Sequence, residues 1–294
     1  MLKKILSAFF LLGASSFVGN AAEVSRVQYL MGTLCEIHAI GETEDHVNTA
    51  ITKAFLEISR LEDIFSAYRA VSEVSTVNRL ASQKTQFCSF DMFSLMRESI
   101  SFSEKTNGAF DVTLKNNGYQ KIILNEKDQS LSFQTSDIQV DFGGIGKGYA
   151  LDKATVILKQ NGIQSAELNF SGNILVFNQS NLPYPVSLVD PLDPKKNVLT
   201  FYISNGSVST SSQLERKNHI IDPRSGKPVD FKGSVTVVSP TATEADALST
   251  ALLVLGSEKG IKMIEKQFKN SSVLYLIPSE QGWIQMPSSQ FPKS

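Results

Sequence analysis

Between Asp141 and Asp152 the chain reads DFGGIGKGYALD, with four glycines in the six positions 143–148 and one lysine, Lys147, among them. Glycine lacks a Cβ, so backbone here can turn sharply and come close to a ligand or to another segment. The run IQVDF leading into it reads as a strand. After it, Ala150, Ala154, Ile157 and Leu158 recur at helical spacing, and Asn161-Gly162 supplies a left-handed cap. The stretch is therefore expected to be a strand-loop-helix junction. Backbone N–H groups at such a helix start can hold an anion, with Lys147 adding positive charge; a tight turn without a ligand accounts for the same residues.

Spacing excludes two standard nucleotide loops. A dinucleotide fingerprint needs G-x-G-x-x-G within a parallel βαβ series, whereas Gly144, Gly146 and Gly148 are spaced G-x-G-x-G. A Walker loop needs Ser or Thr after its lysine, and here Gly148 follows Lys147. Elsewhere, VQYLMGTLCEIHAI reads as a strand-like run. A long amphipathic helix follows from Thr43, with Val47, Ile51, Ala54, Phe55, Ile58, Leu61 and Phe65 on one face. YQKIILNEKDQSLSFQ reads as a hairpin, and AELNF, NILVFN, YPVSLVD, LTFYIS, HIID and SVTVVS as strands. Helices are expected over 244–255 and 259–268, then a strand pair at VLYLI and WIQM. Because strands and helices alternate irregularly, the expected class is α+β, with mixed or antiparallel sheets and packed helices rather than a doubly wound sheet.

A chain of 294 residues, 41% of them hydrophobic, can fill a sizeable core. Residues 1–22 have the make-up of a signal peptide: Lys3 and Lys4, an apolar run from Ile5 to Val18, then small residues ending in Ala21 and Ala22. One domain, with room for two intimately packed subdomains, is expected over 23–294. Loss of Lys3 and Lys4 leaves the chain two charges more negative than its formal −1. Such a surface disfavours nucleic acid and anionic membranes. An exported chain leaves a disulfide between Cys35 and Cys88 open, while two cysteines with His38, His46 and His219 do not make a zinc site.

Three further clusters carry candidate chemistry. In PTATEADALSTALLVLG, Asp246, Ser249 and Thr250 share a helix face and offer oxygen ligands to a hard cation such as magnesium or calcium. Thr243 with Asp246 three residues on reads equally as a capping box. In SVSTSSQLERKNHIIDPRSGKP, hydroxyls gather before His219, a candidate base, and Asp222-Pro223-Arg224 forms a turn able to present a carboxylate and a guanidinium. Met31, Tyr68 and Phe110 belong either to the core or to a flat apolar pocket. NFSGN lacks the G-x-S-x-G frame of a nucleophile elbow.

Taken in order, MGT, SAYRAVSEVSTVN, GAFD, DFGGIGKGYALD, NFSGNI, TSSQLER, HIIDPRSGKP and ADALSTALLVLG resemble the ApbE family of flavin transferases. The resemblance implies an ApbE-like fold of T-fold-like repeats, distinct from Rossmann. It implies a magnesium-dependent enzyme that cleaves the FAD pyrophosphate, passes FMN to a Thr or Ser hydroxyl of an exported or membrane redox protein, and releases AMP. Implied FAD contacts are Met31, Tyr68, Ala109, Phe110, Asp111, Asp141, Lys147 and Ile220. Implied magnesium ligands are Asp246, Thr250 and a backbone oxygen of Gly144, with Gly146 in reserve, and His219 is the implied base. The implied partners are FAD and an acceptor redox protein with a Ser/Thr-Gly-Ala-Ser/Thr type motif, with peripheral association of the enzyme with membrane complexes; the implied location is the bacterial periplasm, in soluble form once the signal peptide is cleaved. Ser171, Asn173 and Ser212 depart from the family's usual Gly, Asp and Gly, which bears on fine geometry and acceptor preference. The same site would serve hydrolysis of FAD to FMN and AMP, and a non-catalytic FAD-binding protein is the competing class.

Overall fold

The computed structural model describes residues 21–193, 195–214 and 219–293. The expected signal peptide, apart from Ala21 and Ala22, and the Glu215-Arg216 end of TSSQLER lie outside them. The single strand-like run expected near the start is two strands, β1 (Ala22–Leu30) and β2 (Thr33–Gly41), paired as a hairpin. Its turn is Met31-Gly32, with φ of 46° and 80°, the two left-handed residues that a two-residue hairpin loop requires. Helix α1 (Glu44–Phe65) follows, capped by the Thr43 hydroxyl and burying the expected stripe from Val47 to Phe65.

Next come α2 (Glu73–Leu80), β3 (Gln86–Phe87) and α3 (Phe90–Lys105), which the sequence pattern does not predict. Helix α3 buries serines and Asp91 among Met92, Leu95, Met96 and Phe102, so no clean apolar stripe marks it. The expected hairpin β4 (Ile122–Asn125) and β5 (Ser130–Phe133) leads to α4 (Gly146–Gln160), then β6 (Ser165–Phe170) and β7 (Asn173–Asn178). The hairpin β8 (Tyr184–Val189) and β9 (Asn197–Ile203) precedes β10 (Gly206–Ser212), where the hydroxyl-rich SVSTSS lies. Short β11 (Ile221–Asp222) and β12 (Lys227–Pro228) flank the DPRSG turn. The chain closes with β13 (Ser234–Ser239), α5 (Ala242–Leu255), α6 (Ser257–Gln267), β14 (Ser272–Ser279) and β15 (Gly282–Pro287).

Eight strands make one sheet in the order β1-β2-β6-β7-β10-β13-β14-β15, antiparallel at every pairing. Helices α1, α4, α5 and α6 pack side by side along it, and the main core lies between helices and sheet. A second cluster beneath the β8–β9 hairpin takes in Val176, Val208, Leu274 and Leu276. The fold is α+β, as expected, and without parallel βαβ units it is not Rossmann-like.

One expected strand is missing. Residues 138–142, the IQVDF run, join no sheet. Instead Asn78 Nδ2 donates to Val140 O at 2.9 Å and Asn78 Oδ1 accepts from Val140 N at 2.7 Å, while Asp141 N donates to Val112 O at 2.8 Å. A side-chain carboxamide satisfies backbone groups that a strand ladder would otherwise satisfy. Cys35 and Cys88 are both free, and burial pushes each thiol up to about 12.

Candidate functional site

Because β2 pairs with β6, the tips of the β1–β2 and β6–β7 hairpins lie together. The second tip, Ser171-Gly172, repeats the first with φ of 54° and 94°, and Thr33 Oγ1 lies 2.7 Å from Ser171 Oγ. MGT and NFSGN are thus neighbouring turns of one kind. A left-handed conformation is unfavourable for a residue with a Cβ, so Met31 and Ser171 carry local strain. The Met31 methyl group reaches the glycine loop: a Cβ built on Gly146 would stand 3.7 Å from Met31 Cε.

The loop opens α4, and α4 packs on α5. Their contact is so close that a Cβ on Gly148 would fall 2.2 Å from the Ala242 carbonyl oxygen and 2.8 Å from Thr243 N. Across this contact each helix caps the other. Asp246 Oδ2, from α5, accepts from Gly148 N at 3.0 Å. Asp152, from α4, accepts from Ala242 N and Thr243 N, each at 2.9 Å, and from the Thr243 hydroxyl at 2.5 Å. Burial pushes the Asp152 carboxyl up, against the pull of these donors. The capping box expected from Thr243 and Asp246 is therefore not the one formed. The N-cap of α5 is Thr241, whose Oγ1 accepts from Glu244 N at 3.2 Å, and Asp246 caps a different helix.

Asp246 is 4% exposed. Its second carboxylate oxygen has no hydrogen-bond partner among the described residues. One turn on, Thr250 Oγ1 donates to Asp246 O at 3.3 Å and lies 3.2 Å from a Cβ built on Gly144; Phe110 Cε2 is at 3.4 Å from the same point. The unpartnered carboxylate oxygen of Asp246 and the Thr250 hydroxyl, beside Gly144, are hard-oxygen donors of the kind a cation such as magnesium or calcium takes. No group of three or more His, Cys, Asp or Glu able to hold a metal occurs among the described residues. Beneath Asp246 runs a hydroxyl chain. Ser249 Oγ bonds Asp246 O at 3.0 Å, Ser209 Oγ at 2.9 Å and Ser211 Oγ at 2.8 Å, and Ser209 in turn bonds Asn173. That chain fixes α5 on β10 and β7.

In the loop itself Asp141 Oδ1 accepts from Gly143 N at 2.6 Å, and Lys147 Nζ donates to Gly143 O at 3.4 Å. The N–H groups of Gly144 and Lys147 have no protein partner among the described residues, leaving donors for an anion. Ala109 and Phe110 are buried beside the loop, and Asp111 is 2% exposed. Its carboxylate accepts from the Thr113 backbone and hydroxyl and from Tyr119 N; burial pushes it up. Tyr68 is 93% exposed, next to Ala67 on a cleft of about 440 Å³ lined also by Asn78, Arg79, Leu114, Val140 and Asp141. That size suits a small organic ligand.

His219 and Ile220 lie beyond the end of β10 and are bonded to it through Gln213. Asp222 and Arg224 pair with each other bidentately, at 2.9 Å on both contacts, and the Arg224 Cγ packs toward Gly108. Sequence reasoning does not single out Asn78, Asp152 or Gln213. Asp152 leaves one trace, a carboxylate in line with Gly148 and Thr155 on the buried face of α4.

A sequence profile described as the ApbE family matches residues 31–117 and 113–275. The FAD:protein FMN transferase of Treponema pallidum is 26% identical over 92% of this chain and 90% of its own length. That of Escherichia coli K12 is 28% identical over 74% of each. Among solved structures, the flavin transferase ApbE from Vibrio cholerae matches with a TM-score of 0.78 at 25% identity, over 92% of this chain and 98% of that one. The apo flavinyl transferase ApbE of Pseudomonas stutzeri, 22% identical with a TM-score of 0.80 over 94% and 97% of the two chains, shares the fold.

Proposed function

The chain belongs to the ApbE family, and from that premise we propose that it transfers FMN from FAD to a Thr or Ser hydroxyl of an acceptor protein, releasing AMP. The observation that carries this reading is Asp246: a nearly buried carboxylate with one oxygen on the Gly148 N–H and the other unpartnered, beside Thr250 and Gly144. Asp246, Thr250 and a Gly144 backbone oxygen would hold magnesium. When bound, the cation offsets charge on the pyrophosphate oxygens. The Gly144 and Lys147 N–H groups and the Lys147 ammonium orient the phosphates at the start of α4. Met31, Ala109, Phe110, Asp111, Asp141 and Ile220 frame the rest of FAD, with Tyr68 at the cleft rim. His219 takes the proton of the acceptor hydroxyl as its oxygen bonds to the FMN phosphorus and AMP departs.

The leader-like residues 1–22 favour an exported, periplasmic enzyme acting on redox subunits with a Ser/Thr-Gly-Ala-Ser/Thr type segment, some of them in membrane complexes. No helix among the described residues is long and apolar enough to cross a membrane. Incubation of the protein with FAD, magnesium and an acceptor domain is expected to give AMP and flavin fluorescence that survives denaturing electrophoresis. AMP with free FMN alone would point to a hydrolase, and bound FAD without AMP to a binding protein.

Met31 offers a further check. Met31→Asn places a residue that tolerates the left-handed region where strain is now held, and is expected to stabilise the fold by up to about 1 kcal/mol. The same change removes the methyl beside Gly146 and is expected to weaken FAD binding, read by flavin fluorescence titration. A variant that is more stable and binds FAD unchanged would remove Met31 from the site.

A further inference from the structure

Strand β10 ends next to a glutamine that the proposed chemistry leaves unused. Gln213 is 7% exposed, and its carboxamide makes four hydrogen bonds to one small region. Oε1 accepts from His219 N at 3.1 Å and Ile220 N at 3.3 Å; Nε2 donates to Ile220 O at 2.7 Å and Val229 O at 3.1 Å. This uses both amide protons and both oxygen lone pairs. The root of the side chain is fixed as well. Ser212 Oγ donates to Gly233 O at 2.9 Å and accepts from Leu214 N at 3.1 Å, and Val229 N donates to Ile220 O at 3.0 Å.

We propose that Gln213 is a positioning residue: its carboxamide sets the backbone of His219 and Ile220 against β10, and so sets where the imidazole is presented. Two residues earlier, inside β10, Ser211 bonds Ser249, which bonds the Asp246 carbonyl. The histidine segment and the Asp246–Thr250 turn are thus referenced to one strand through short polar links. The chemistry selects a carboxamide. Alanine makes none of the four bonds, and a glutamate carboxylate accepts from the two N–H groups but sets negative oxygens against two carbonyls. The proposal rests on His219 acting as the base in flavin transfer.

The test compares the parent, Gln213→Ala, Gln213→Glu and His219→Ala in the full exported chain. In Gln213→Ala the amides of His219 and Ile220 are expected to exchange with deuterium at least about tenfold faster, while the midpoint of thermal unfolding falls moderately with the loss of four hydrogen bonds. Its kcat for transfer is expected to fall by about 10- to 100-fold, and FAD affinity, measured without acceptor, to fall by less than kcat does, since Ile220 is one of several residues that frame FAD. Gln213→Glu adds a readout that loss of packing does not produce. Burial against carbonyls raises the new carboxyl's pKa, and once protonated it can donate again, so its activity relative to the parent is expected to rise as pH falls from about 8 to 6. A deprotonated glutamate acting only by raising the His219 pKa would lower that ratio instead. If Gln213→Ala fails to fold, the Gln213→Glu profile decides: a ratio flat or falling toward low pH overturns the proposal. Unchanged exchange at 219 and 220, or a Gln213→Ala kcat within twofold of an active parent, overturns it as well. A parent that binds FAD but transfers no flavin, or a His219→Ala variant as active as the parent, overturns the assignment of His219 and the proposal with it.

Discussion

Asp246→Asn is expected to melt close to the parent when both are free of divalent cations, yet to release almost no AMP from FAD at modest magnesium. The two halves of this expectation come from the two carboxylate oxygens. One accepts the Gly148 N–H, and the asparagine side-chain oxygen can keep that bond, so the stability change should be about 1 kcal/mol. The other oxygen loses the negative charge that would hold the cation. Turnover should therefore fall by about two orders of magnitude or more at limiting magnesium and recover in part at high magnesium. Calorimetry in chelator and AMP release across a magnesium titration provide the two measurements. Parent-like turnover by the folded variant at limiting magnesium would sink the metal assignment.

Gly148→Ala reverses a familiar sign. Replacing an interior helical glycine by alanine ordinarily stabilises a helix by about 0.5–1 kcal/mol. Here the added methyl would sit 2.2 Å from the Ala242 carbonyl oxygen and 2.6 Å from its carbon, and backbone at a helix start cannot swing aside as a side-chain end can. Relief requires α4 and α5 to separate, which strains the Asp246 and Asp152 caps together. A loss of about 3 kcal/mol or more is expected, seen as a lower denaturation midpoint and a weaker response of the melting temperature to magnesium. Gly144→Ala is the companion: its nearest neighbour would be Thr250 Oγ1 at 3.2 Å, a side chain, so it should crowd the site with much less effect on the fold. A Gly148→Ala protein as stable as the parent would show that the helix contact is looser than it looks.

Legibility in the sequence follows the range of the interactions. Helix α1 announces itself because one face carries all its buried side chains, and the β4–β5 hairpin because apolar runs flank a polar turn. Strand β10 does not, since Ser207 and Ser209 are buried in mid-sheet and bonded to Ile174 O and Ser249, so it lacks the apolar alternation that marks a strand. The hairpin at Met31 hides for a related reason: Met-Gly is not the Asn-Gly signal of such turns. Motif order brings forward Asp246, Thr250 and the glycine loop. It cannot bring forward Asn78, whose partner Val140 is 62 positions away, or the fact that Asp246 caps α4 rather than its own helix.

The reciprocal caps also bear on how the chain reaches its native state. Asp246 and Gly148 are 98 residues apart, and Asp152 and Thr243 are 91 apart. Neither helix can complete its first turn with these partners until the other has docked, and closing loops of that length precedes any reward from the contact. The junction is therefore expected to form late in folding, on the native side of the barrier. Mutations there should act on the unfolding rate far more than on the folding rate, so the same few atoms that hold the glycine loop against α5 govern how long the folded enzyme persists.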